Sequence, residues 1–232
     1  MDSLYPLLVS LHGLAGVLAL LSFWVAAFAR KGARPHVLAG RAYLLAMLAI
    51  VLTAVPMSLN FFVRGQTGTG TFLAYLGVIT ASSMWLGLRA VRLKRSPERF
   101  LNRAYVGVAL LNLACGGVVL ALGLQRGLTL LIGFSLVGLL LGAGMLRRYR
   151  GGLEAGPWWL REHFSAMLGC AAATHVAFLS IGLNSVVRAA GGGALPPQFG
   201  LLAWVLPVVA VTVAGVWLDR RYRAGTLLRR TG

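Results

Sequence analysis

Of the 232 residues 58% are hydrophobic and only 12% charged, where a soluble domain carries about 25% charged residues; the mean hydropathy is +0.80. The formal net charge of +17 would suit a nucleic-acid partner, but the basic residues border long apolar stretches and form no separate basic domain. That placement excludes nucleic-acid binding and points to the surface of a lipid bilayer.

A spanning helix needs roughly 20 apolar residues. Seven segments of that kind follow one another, at about 4–29, 37–63, 71–93, 101–123, 128–146, 161–187 and 199–218. The expected fold class is all-α, a polytopic transmembrane helical bundle of seven helices forming a single integral membrane domain over 1–232. The first segment has no basic residues before it, so it is expected to stay as a helix and not to be removed as a signal peptide.

The loops alternate in charge. One set carries Arg30, Lys31, Arg34 and Arg41, then Arg89, Arg92, Lys94, Arg95, Arg99 and Arg103, then Arg147, Arg148, Arg150 and Arg161, then Arg220, Arg221, Arg223, Arg229 and Arg230. The other holds Arg64, Arg126 and Arg188. The positive-inside rule then places the N-terminus outside and the C-terminus in the cytoplasm. The expected location is the bacterial inner (plasma) membrane, with membrane lipid as the first partner. Trp158 and Trp159 at a helix entrance fit the headgroup belt.

Within the spans, Gly13, Gly16, Gly116, Gly117, Gly138, Gly142 and Gly144 would allow close helix approach. Pro56 and Pro207 are expected to kink their helices. Asn60, Asn112 and Asn184 read as interhelical hydrogen-bonding groups. A short repeat relates Gly40-Arg41-Ala42-Tyr43, at the opening of the second segment, to Asn102-Arg103-Ala104-Tyr105, at the opening of the fourth. Trp24 and Trp85 precede the two arginines at nearly equal spacing, and Glu98 stands in the second copy where His36 stands in the first.

The acids Asp2, Glu98, Glu154, Glu162 and Asp219 all lie at helix ends or in loops. A proton or cation transporter usually needs a mid-membrane carboxylate. No Ser-His-Asp set, H-E-x-x-H or phosphate loop is present, so hydrolytic chemistry has no equipment. Cys115 and Cys170 lie in spans and form no disulfide framework, and without C-x-x-C-H there is no c-type haem attachment.

Four histidines remain. At 1.5 Å per residue, His12 lies about 9–12 Å below the outer end of its helix and His175 about 18 Å below. His36 and His163 lie at the cytoplasmic boundary. The depths suggest two pairs, His12 with His175 and His36 with His163, about 18 Å apart along the membrane normal. Paired neutral imidazoles suit one or two b-type haems. The small residues Ser165, Ala166, Gly169, Cys170, Ala171, Ala172 and Ala173 offer a flat wall to a macrocycle, and Arg34, Arg41 and Arg161 lie where haem propionates would be. Against this, His163 and His175 are 12 residues apart and so differ by about 120° around the helix. The other reading of His36 and His163 is headgroup contact or loop capping; for His12 and His175 it is interhelical hydrogen bonding. Arg41 and Arg103 likewise read as interface anchors.

His12-Gly13, Gly16, Lys31-Gly32, His36 and Gly40-Arg41-Ala42-Tyr43, with the later Arg161-Glu162-His163 and Met167, resemble a group of bacterial predicted membrane proteins that form a domain of unknown function. That group carries an early His-Gly helix, a "KG…H…GR.Y" segment, and Arg-x-His with Met on a later helix. Val37 stands where the group often has Arg. The resemblance covers about a third of the chain and implies the fold and the importance of the histidines, without an activity. The ligand scheme is similar to that of ascorbate-reducible b-type cytochromes and the cytochrome subunits of formate- and hydrogen-oxidising enzymes. The expected function is transmembrane electron transfer by a membrane subunit of an oxidoreductase, with a quinone or redox partner protein and a place in a larger complex. The alternative is a non-redox transporter or structural subunit.

Overall fold

A computed structural model describes residues 4–154, 156–193 and 195–228; side chains are described for these except at 197, 198 and 223–228. Asp2, Arg229 and Arg230, and the side chain of Arg223, therefore lie outside the described residues. The elements are α1 (Leu4–Phe28), α2 (Arg34–Val63), α3 (Thr67–Arg92), a short α4 (Pro97–Phe100), α5 (Arg103–Arg126), α6 (Thr129–Gly151), α7 (Trp158–Ala177), a π-helical segment (Phe178–Gly182), α8 (Leu183–Ala189) and α9 (Pro197–Leu228). Among the described residues there is no strand.

Seven helices are long and apolar enough to cross a membrane: Leu4–Phe28, Arg34–Val63, Thr67–Arg92, Arg103–Arg126, Thr129–Gly151, Trp158–Ala189 and Phe199–Tyr222. The chain has the build of a multi-pass helical membrane protein. Large side chains such as Leu14, Leu21, Val63, Leu140 and Leu201 are exposed on these spans, as lipid-facing residues are. The expected segments and the observed helices agree in number and order, and their ends differ by a few residues. α2 begins at Arg34, three residues early, because Pro35 lacks an N–H and its fixed φ suits a first helical turn. Both α2 and α9 run on through Pro56 and Pro207.

The repeated motif does not open both helices. Asn102 caps α5, its side chain accepting a hydrogen bond from the Tyr105 N–H at 3.1 Å. Gly40 has no side chain to cap with, and Gly40 to Tyr43 lie inside the already running α2.

The chain packs as two compact units, residues 1–50 with 164–232, and residues 51–163. The second is knit by glycines. A Cβ at Gly142 would come within 2.6 Å of the Ala109 carbonyl, one at Gly138 within 2.7 Å of the Tyr75 hydroxyl, and one at Gly116 within 3.1 Å of the Ser135 carbonyl. Gly138 and Gly142 form a G-x-x-x-G pair on α6, which lets α5 approach closely. The Tyr75 hydroxyl enters the α6 ladder: it donates to the Phe134 carbonyl at 2.8 Å and accepts from the Gly138 N–H at 2.8 Å. Asn112 makes the expected interhelical bond, donating to Ser82 Oγ at 2.8 Å. Asn184 instead bonds within its own span, to the Ser180 carbonyl. Gly13, Gly16 and Gly117 have no neighbour within 4 Å, and Gly144 meets only the tip of Arg148, so these four do not mediate close packing.

Candidate functional site: the histidines and their partners

His36 lies near the start of α2, and its Nδ1–H donates to the Ala26 carbonyl at 2.9 Å. Ala26 is in the last turn of α1, where carbonyls lack intrahelical partners. Lys31 donates to the same carbonyl at 3.0 Å and to that of Ala27. Partial burial pushes the Lys31 ammonium below its ordinary range. His36 and Lys31 together therefore cap the C-terminus of α1, which is the structural role open to His36 in the sequence.

His12 hydrogen-bonds to the backbone of Ile50, joining α1 to α2. In the second unit the Nδ1–H of His163 donates to the Gly87 carbonyl at 3.0 Å, joining α7 to α3. These contacts tie one helix to another.

His175 is different. Its Nδ1–H donates to the carbonyl of Ala171, one turn back on its own helix, at 2.8 Å. With Nδ1 donating there, a lone pair, where the ring carries one, falls on Nε2. Nε2 is buried and has no hydrogen-bond partner among the described residues. The ring packs edge-on against Phe23 at 5.4 Å and Trp24 at 5.5 Å. Phe23 in turn packs on Tyr43. Beside it, Thr174 Oγ1 lies 2.9 Å from the Cys170 carbonyl, 3.2 Å from the Tyr43 hydroxyl and 3.3 Å from Met47 Sδ. The single Thr174 proton goes to the carbonyl, so Tyr43 donates to Thr174.

The contacts place His175 on the turn of α1 that carries Phe23 and Trp24. His12 lies eleven and twelve residues away on that helix, about 17 Å along its axis. His12 and His175 are thus each seated on other partners. His36 and His163 belong to different units and are each described by the carbonyl that they meet. The helix is unbroken α from Trp158 to Ala177, so the 120° between His163 and His175 is retained. The π segment begins only at Phe178.

Of the cations placed near the histidines, Arg161 is ion-paired to Glu154. Arg34 and Arg41 are exposed. Of the wall of small residues, Ala166, Cys170 and Ala171 are buried, while Ser165 and Gly169 are exposed. Among the described residues no three His, Cys, Asp or Glu side chains gather as a metal-binding group; ligation of a haem iron by paired imidazoles takes two.

The sequence reading missed two features. One is the aromatic seat of His175, which the spacing of Phe23 and Trp24 before the first basic loop did not signal. The other is the π segment three residues after His175, for which single-sequence periodicity carries no signal. π-bulges often accompany functional sites.

The fold and this site define an α-helical membrane protein with a half-buried imidazole in its sixth span whose Nε2 atom is buried. Comparison with family models, with curated proteins and with solved structures finds no match for the chain. The resemblance to the bacterial membrane-protein group rests on the motif residues themselves.

Proposed function

We propose that the protein is a b-type cytochrome-like subunit of the bacterial inner membrane, carrying electrons through a haem b that His175 would hold. The observation that carries this reading is the Nε2 atom of His175, buried and unpartnered while Nδ1 is held by the Ala171 carbonyl. A hydrogen bond from the other ring nitrogen to a backbone carbonyl orients metal-ligating histidines and raises their basicity. An unmet polar atom inside a span is costly, and coordination would remove the cost. A haem b, when bound, supplies the one-electron chemistry. The chain's own part is to hold the imidazole in one tautomer, to surround it with the edges of Phe23 and Trp24, and to keep water from it. His12, about 17 Å from the His175 seat along α1, does not join it on one iron, and His36 and His163 each bond a backbone carbonyl. Arg41, exposed on α2, is the cation proposed for a propionate. Electrons would pass to or from a quinone or a redox partner protein.

A second reading has its own observation. His12, His36 and His163 each join two helices through a backbone carbonyl, which is what a transporter or structural subunit without redox chemistry would ask of them.

Reduced-minus-oxidised spectra of the purified protein, expressed with sufficient haem, separate the two. The expected result is a Soret and α-band that His175→Ala abolishes while the variant stays folded by circular dichroism. A colourless protein would overturn the redox reading in favour of the structural one. His12→Ala is expected to leave the spectrum unchanged; a low-spin spectrum turned high-spin would show that His12 and His175 share an iron.

A further inference from the structure

A second feature lies in the unit formed by residues 51–163. An open groove of ≈ 550 Å³ is lined by Leu113 of α5 and by Ala143, Leu146, Arg147, Arg150 and Gly151 of α6. Leu113 stands ten residues into α5, about 15 Å from the start of that helix. The groove therefore runs from the apolar part of the span to the basic end of α6, with an apolar wall at one end and two guanidinium groups at the other.

The charges at the basic end are unevenly engaged. Two acids lie close in sequence. Glu162 pairs with Arg148 at 3.1 Å, and Glu154 pairs with Arg161. Arg148 sits between the two groove arginines in sequence but is turned to Glu162 and to the Tyr105 hydroxyl. Arg147 and Arg150 are exposed and line the groove. Both nearby carboxylates are thus committed elsewhere, and the groove keeps a net positive mouth.

From this complementarity we infer that the groove is a binding site for an anionic phospholipid of the surrounding bilayer, its phosphate held by Arg147 and Arg150 and an acyl chain laid along Leu146, Ala143 and Leu113. Guanidinium forks match phosphate geometry, and basic pockets between spanning helices are suited to anionic headgroups. Free phosphate would use the arginines alone and leave the apolar limb without purpose. The site is independent of the histidines and of any redox role.

Native mass spectrometry of the detergent-solubilised full-length protein titrated with phosphatidylglycerol tests it, with phosphatidylcholine of the same chains as the comparison. The expected result is preferential retention of phosphatidylglycerol. The Arg147→Gln/Arg150→Gln variant should hold it about tenfold more weakly, with phosphatidylcholine binding unchanged. The Arg147→Lys/Arg150→Lys variant keeps the charge and should recover most of the binding, which separates loss of the site from loss of the fold. Equal binding of both lipids, or phosphatidylglycerol binding undiminished in the glutamine variant, would overturn the inference. Displacement of the lipid by millimolar inorganic phosphate would overturn the commitment to a lipid.

Discussion

The two copies of the short Trp…Arg-Ala-Tyr pattern end in opposite chemical surroundings. In the first, Trp24 and Tyr43 meet neutral groups: Trp24 packs on the His175 ring, and Tyr43 donates to Thr174. In the second, Trp85 lies under the Arg89 guanidinium at 4.4 Å, and Tyr105 accepts from Arg148, which also pairs with Glu162. Both tyrosines are buried, at 2% and 0% exposure, so burial does not distinguish them. What distinguishes them is the helix that each one faces. α7 offers the Thr174 hydroxyl, whereas α6 brings the Arg148 guanidinium from its basic end. The same local sequence thus serves a neutral ring cluster in one unit and an ion-pair network in the other. Each leaves a polar atom unmet among the described residues, His175 Nε2 in the first and Arg89 Nε in the second, and both groups are bonded through another atom.

The comparison extends to packing, and the largest expected effect lies there. Gly142→Leu drives a side chain into the Ala109 carbonyl and the Leu113 side chain. Backbone cannot yield cheaply, and overpacking of this kind costs about 3 kcal/mol. A large fall in melting temperature in detergent is expected. A melting temperature within a degree of wild type would mean that α5 and α6 do not approach as closely as the glycines imply.

Next come the two tyrosine networks. Glu162→Gln leaves Arg148 with only the Tyr105 hydroxyl and a weaker amide partner. Loss of a charge-assisted contact in a partly buried place costs about 2 kcal/mol. Thr174→Val removes a neutral acceptor from Tyr43 and should cost about 1 kcal/mol. Thermal unfolding at low and high salt checks both: the Glu162 difference is expected to shrink as salt rises, because the pair is partly exposed and screened, and the Thr174 difference to stay constant. Equal salt responses would erase the contrast between the units.

How much of this was legible in the sequence follows from the physics of each signal. Spanning helices announce themselves because about 20 consecutive apolar residues have few other uses, and all seven were found in order. Asn112 was legible for the same reason: a polar amide inside a span must find a partner. A residue's position along its own helix can be counted, but its partner on another helix cannot. His12 and His175 looked matched when counted from helix ends, yet His175 packs eleven residues away on α1, because counting assumes upright helices with aligned ends. His36 beside Arg34 and Lys31 looked equally like a ligand or a cap, and the Ala26 carbonyl shows the capping contact. Glycine alone could not tell a contact from an open face; only Gly116, Gly138 and Gly142 of those singled out meet a neighbour closely.

The smallest expected effect uses that last distinction and bears on the histidines. Gly13 follows His12, and a Cβ there would meet nothing within 4 Å; Gly16, one turn on, is equally open. Ala in place of an open helical Gly improves helix propensity by up to about 1 kcal/mol in water, and less where lipid surrounds the helix. Gly13→Ala should therefore leave the melting temperature unchanged or raise it slightly, in contrast to Gly142→Leu. A clear fall would show that something presses on this face in the assembled protein. Were that fall to come with loss of haem absorbance, a macrocycle beside His12 would account for both, and the haem would then sit at His12 and not at the His175 seat. A fall with the absorbance intact would place a partner helix there instead.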